Sequence, residues 1–155
     1  MTIIQKQLQK VNKDYQALKE YKEFIEQVGF QFTIDEFNNL NTPQKAVLEA
    51  YLKRFASLQD YLGAKVFKSL LDISGISYRK MSEVLTLIEK EKIVSLDRWI
   101  EFRNIRNELE HDYPDELEEA LRDLKKCVDS FDYMERVVLK VFEFAGKYSE
   151  NIQLS

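Results

Sequence analysis

The residues best suited to chemistry in this 155-residue chain stand together in Arg106-Asn107-Glu108-Leu109-Glu110-His111-Asp112-Tyr113, and His111 is the only histidine. An imidazole with an ordinary pKa of about 6.5 exchanges a proton near neutrality. A guanidinium presents a rigid fork of donors that matches a phosphate. On a helix, residues four apart share a face, so Asn107 and His111 align and Arg106 lies about a third of a turn aside. Such a pair suits metal-free phosphodiester chemistry: histidine moves the proton and arginine stabilises charge growing on the phosphoryl oxygens. With RNA, the 2′-hydroxyl is a built-in nucleophile held near its phosphorus. The same spacing also describes a histidine that merely ends a helix as a polar surface residue.

The rest of the composition narrows the choices. Cys127 is the only cysteine, which removes an internal disulfide and fits a reducing cytoplasm. Set in an apolar helical pattern, Cys127 reads as a packing residue and not a nucleophile. No metal cluster and no glycine-rich loop stand out, so neither metal nor cofactor is expected. No apolar run approaches the roughly 20 residues of a membrane span, and the N-terminus lacks the apolar core of a signal peptide. A cytoplasmic protein without membrane contact is the expectation. The net charge of −4 does not advertise a nucleic-acid binder. Residues 101–120 are the most acidic stretch, with two arginines against eight acids. Arg54, Arg98 and Arg103 are candidates to offset that charge. Lys90, Lys92 and Arg98 form a modest basic patch, either solvated surface or a steering element for phosphate.

Elements that would hold the motif follow from apolar spacing. With Gly 4 and Pro 2, long helices with few turns are expected. Ile4, Leu8, Val11, Tyr15, Leu18 and Ile25 mark one stripe on a first helix of about residues 3–28, ended by Gly29. Thr33 to Leu40 reads as a connector. Asn41-Thr42-Pro43 starts a second helix, with a capping side chain beside a proline, that runs to about Ile73. Its buried side should carry Val47, Tyr51, Leu58, Leu62, Val66 and Leu70. Gly63 in its middle suggests close passage of another backbone. After a break at residues 74–77, Met81, Val84, Leu85 and Ile88 suggest a short third helix. Ser95 or Asp97 would cap a fourth, carrying Trp99, Ile100, Phe102, Ile105 and Leu109. Pro114 should close it, leaving His111 in its final turn, where the helix dipole favours a protonated imidazole. Leu117, Leu121, Leu124, Val128, Phe131, Val138, Val141 and Ala145 then mark a last helix of about thirty residues. Most aromatics, including Phe24, Phe55, Phe67, Phe131 and Phe142, fall on or beside these stripes and read as core. A single all-α bundle over 1–155 results.

Placed near the end of a fourth helix, Arg106-Asn107 followed by His111-Asp112-Tyr113 resembles the motif of the HEPN superfamily. More narrowly it is similar to the HEPN toxins paired with minimal nucleotidyltransferases, whose motif is Arg, four to six residues, His, one residue, Tyr. The segment Phe55-Ala56-Ser57-Leu58-Gln59-Asp60-Tyr61-Leu62-Gly63-Ala64-Lys65 resembles the second-helix segment of that group. The resemblance follows helix order along nearly the whole chain, with these two segments its specific parts. It implies an up-and-down bundle of about five helices that forms a homodimer, bringing two motifs into one cleft. It also implies a metal-independent endoribonuclease acting on RNA, and a cognate nucleotidyltransferase antitoxin as partner. By motif match, Arg106 and His111 take the catalytic positions and Asn107 the polar supporting one. Tyr113 matches the tyrosine that such partners can modify with AMP. Glu108, Glu110 and Asp112 depart from what a phosphate cleft favours. The alternative within the same superfamily is a non-catalytic partner that presents substrate or nucleotide to the nucleotidyltransferase. Arg106 and His111 both read as sites at an exposed helix end, where substitution should cost little stability.

Overall fold

The computed structural model describes residues 1–112, 116–150 and 152–155, the side chains of His111 and Asp112 excepted. Among these residues every regular element is helical. Helix α1 (Ile3–Val28) starts at a reciprocal cap between Thr2 and Gln5, and ends where Gly29 turns left-handed at φ 70°. All six residues of its sequence stripe are buried. The stretch expected as a connector contains a short helix, α2 (Ile34–Asn39), capped by the Thr33 hydroxyl. Six residues with two apolar positions, Ile34 and Phe37, are too few to show a helical period.

Helix α3 (Thr42–Tyr61) opens with Asn41 and Gln44 capping each other, each side chain 2.9 Å from the other's backbone nitrogen. The chain then runs through one π-helical segment, Leu62–Val66, into α4 (Phe67–Ser74). In that segment the Phe67 N–H donates to the Leu62 carbonyl, one residue further back than in an α-helix. The expected second helix is therefore continuous in direction but widened in the middle. Gly63 faces a side chain and not a backbone: a Cβ added there would meet Cζ2 of Trp99 at 3.7 Å.

Helices α5 (Met81–Lys90) and α6 (Leu96–Asp112) flank a tight loop in which Lys92 takes a left-handed φ of 62°. The expected thirty-residue last helix is two, α7 (Leu117–Asp129) and α8 (Phe131–Gly146), separated at Ser130. There the serine hydroxyl donates to the Cys127 carbonyl at 2.6 Å, a competing local bond that helix periodicity does not register. The apolar rhythm continues unbroken across the join, which is why spacing alone reads one helix.

Helix α1 lies along α3 and α8, while α6 lies against α7, α3 and α5. Their buried faces merge into one core around Trp99, Tyr51, Phe55, Phe67 and Leu70. No described helix is long and apolar enough to cross a membrane.

Candidate functional site

Helix α6 carries the motif, and its C-terminal turn includes His111, as expected. Asn107 is exposed and Arg106, one position earlier, is buried at 4% exposure. That burial overturns the expectation of an exposed arginine. Trp99, Phe102, Ile105 and Leu109 bury the apolar face of α6, and Arg106 stands within the same buried arc.

Three side chains receive the guanidinium. Arg106 Nε donates to Gln59 Oε1 at 2.9 Å, and Gln59 is itself fully inside the protein. The Gln59 amide nitrogen donates to the Trp99 carbonyl at 2.9 Å, so one buried amide clasps both the side chain and the backbone of α6. Arg106 also forms a hydrogen-bonded ion pair with Asp60, whose own side chain is mostly exposed. Glu110, one turn further on, approaches the guanidinium at 3.9 Å. An arginine inside a protein is tolerated only when its donors are met by such acceptors. Sequence reasoning gave the polar residue of α3 that does this no role, although a signal for it exists. Gln59 occupies a core position of the stripe Tyr51, Phe55, Leu62 and Val66, where an amide signals a buried partner.

Beside the ion pair lies a groove of about 550 Å³ between α3, the π segment, α5 and α6. Gln59, Asp60, Gly63, Met81, Trp99 and Arg103 contribute to its walls. Arg103, one of the candidates to offset the motif's acidity, thus stands near it. Arg54 does not: it bridges to α1, with Nη1 2.8 Å from Oδ1 of the buried Asp14. Arg98 points elsewhere again, stacking over the rings of Phe102 and Tyr133. Tyr113 and Pro114 lie outside the described residues, as does the side chain of His111, whose backbone stands in the last turn of α6.

Cys127 is wholly buried, and desolvation pushes its thiol up from 9.0 to about 12. A thiol so held is not a nucleophile at neutral pH. Its carbonyl accepts a hydrogen bond from Tyr51 at 2.9 Å, joining α7 to α3, so the packing role expected for it holds. Among the described residues no three of His, Cys, Asp and Glu converge as ligands for a metal ion.

Comparison with protein-family models, with curated proteins and with solved structures finds no match to this chain.

Proposed function

We propose that this protein is a metal-independent endoribonuclease of the HEPN toxin type, restrained by a nucleotidyltransferase partner. The observation that supports it most is the Arg106–Gln59–Asp60 tie. The two segments that resemble the family meet through that contact, residues 55–65 lying on α3 and the π segment and residues 106–112 of the other on α6, beside a groove with room for a substrate. In this reading the 2′-oxygen of RNA attacks its phosphorus as His111 takes the 2′ proton. The 5′-oxygen leaves with the proton that His111 returns, directly or through water, and the products are a 2′,3′-cyclic phosphate and a free 5′-hydroxyl. Arg106 steadies the phosphoryl oxygens, and the exposed Asn107 supports the scissile region from the same helix face as His111. Asp60 and Glu110 are exposed carboxylates, and an RNA phosphate would replace one of them on the guanidinium. AMP on Tyr113 would bring a bulky anion to where phosphate must approach, and so silence cleavage.

A second reading is a non-catalytic partner that presents nucleotide or substrate to the nucleotidyltransferase. The engagement of Arg106 with three side chains favours it, because such an arginine already serves the fold.

Cleavage assays in EDTA separate the two. The first reading expects metal-free cutting with cyclic phosphate ends, a fall of 10²-fold or more in His111→Ala, and silencing by partner and ATP that Tyr113→Phe escapes. Cutting that survives His111→Ala, or that EDTA abolishes, would sink the proposed mechanism. Absence of cleavage, with a stable partner complex indifferent to Tyr113→Phe, selects the second.

A further inference from the structure

A second groove, of about 390 Å³, lies away from the Arg106 cluster between the α5–α6 loop, the start of α6 and α8. Its walls carry Lys92, Arg98, Arg136 and Lys140, all exposed, in a protein whose net charge is −4. Among the described residues none of the four has a carboxylate within 4.0 Å. The one acid on the same walls, Glu89, is occupied: its Oε2 accepts the Leu96 N–H at 2.6 Å, at the positive end of α6. One of the cations is also held in place. Arg98 stacks on two rings, at 5.6 Å from the Phe102 centroid and 5.3 Å from that of Tyr133. The Tyr133 hydroxyl bonds both backbone groups of Ser95, fixing the loop to α8. Arg136 and Lys140 are one helical turn apart on α8.

The basic surface does not end there. Lys92 and Lys140 also border an adjoining depression that carries Lys147 together with the exposed carboxylates of Glu91 and Glu143, and among the described residues neither acid lies within 4.0 Å of these lysines. Next to Lys147, Tyr148 is 51% exposed, its ring 5.3 Å from that of Phe144. A row of cations longer than one phosphate, ending on an exposed aromatic ring, fits neither a single free anion nor an acidic peptide, which has no bases to stack. It fits a single-stranded nucleic acid, whose backbone follows the charges and whose base lies on the ring.

We infer that Lys92, Arg98, Arg136, Lys140, Lys147 and Tyr148 form a track for single-stranded RNA, separate from the Arg106 cluster. The inference rests on the proposed action on RNA for its choice of nucleic acid, but not on cleavage.

Fluorescence anisotropy with a labelled twelve-nucleotide uridine oligomer tests it, using full-length His111→Ala protein in EDTA so that binding is read without cutting. The salt dependence of log Kd should be steep, and in Arg136→Gln/Lys140→Gln its slope should fall by about 1.4, since each single-strand phosphate contact contributes roughly 0.7. Tyr148→Ala should weaken binding about fivefold or more with the salt slope unchanged. Circular dichroism and melting should be the same in all three proteins, because Arg136, Lys140 and Tyr148, the residues that differ among them, are exposed. Unchanged affinity and slope in the double variant would overturn the track. Displacement of the oligomer by polyglutamate as readily as by unlabelled oligomer, with Tyr148→Ala neutral, would overturn its assignment to nucleic acid. Binding retained in a protein that never cuts RNA removes the ribonuclease reading and leaves the track standing. Cutting by wild type with binding indifferent to the double variant does the reverse.

Discussion

Neighbouring residues of the motif differ sharply in what they do for the fold. Arg106 is enclosed and shared among Gln59, Asp60 and Glu110, whereas Asn107 faces solvent. Arg106→Ala would strip the buried Gln59 oxygen of its donor and leave a hole where the buried guanidinium stood. We expect a loss of about 2–4 kcal/mol in unfolding free energy, read from urea titrations. Asn107→Ala should stay within about 0.5 kcal/mol of wild type. Equal stability of the two variants would show that the Arg106 clasp contributes little. An activity loss in Arg106→Ala therefore counts towards catalysis only beside its melting curve, and His111→Ala is the variant for the functional test.

At the scale of elements, the widened segment between α3 and α4 is where helix rule and packing diverge. Gly63 lies in right-handed geometry, and the space above it is ordinary contact distance from Trp99. Glycine inside a helix costs roughly 0.5–1 kcal/mol relative to alanine. Gly63→Ala should thus stabilise the protein by up to about 1 kcal/mol, seen as a raised urea midpoint with unchanged slope. A fall in stability would mean that the Trp99 indole cannot accept the methyl group, and that the glycine is needed for packing after all. The break at Ser130 belongs to the same scale: one hydroxyl bonding back to Cys127 divides what the apolar rhythm presents as a single helix.

For the whole molecule, the homodimer that the family resemblance implies would place α6 against its symmetry mate in an isologous contact. The exposed side of α6 carries Glu101, Asn104, Asn107 and Glu108, so two copies bring like charges together. Salt screens such repulsion within a Debye length of about 10 Å at 0.1 M. Sedimentation equilibrium should therefore show a dimer at micromolar concentration that tightens between 50 and 300 mM sodium chloride. A monomer at both salts would exclude the dimer, and a dimer that weakens with salt would move its interface off the acidic face of α6. RNA binding along the basic track should respond to salt in the opposite direction, so the two interactions can be told apart in one titration series.

The amino-acid sequence by itself determined the helical class, the buried stripes of α1 and α8, that from Tyr51 to Leu70 without its half-buried first member Val47, the caps at Gly29 and Asn41, and the motif at the end of α6. These are local properties: each depends on neighbours three or four positions away, which a linear chain already specifies. Only the tertiary structure decided the rest. Nothing in the spacing of Arg106 says that it turns inward onto Gln59, forty-seven residues earlier. Whether Arg54 and Arg98 would join Arg103 around the motif depended on packing, which sent Arg54 to Asp14 on α1 and Arg98 onto the rings of Phe102 and Tyr133. The basic groove has the same origin, since Lys92 and Arg98 are joined by Arg136 and Lys140 only because the α5–α6 loop is tied to α8 through Tyr133. Charges far apart in sequence make a field only once packing has brought them to one surface.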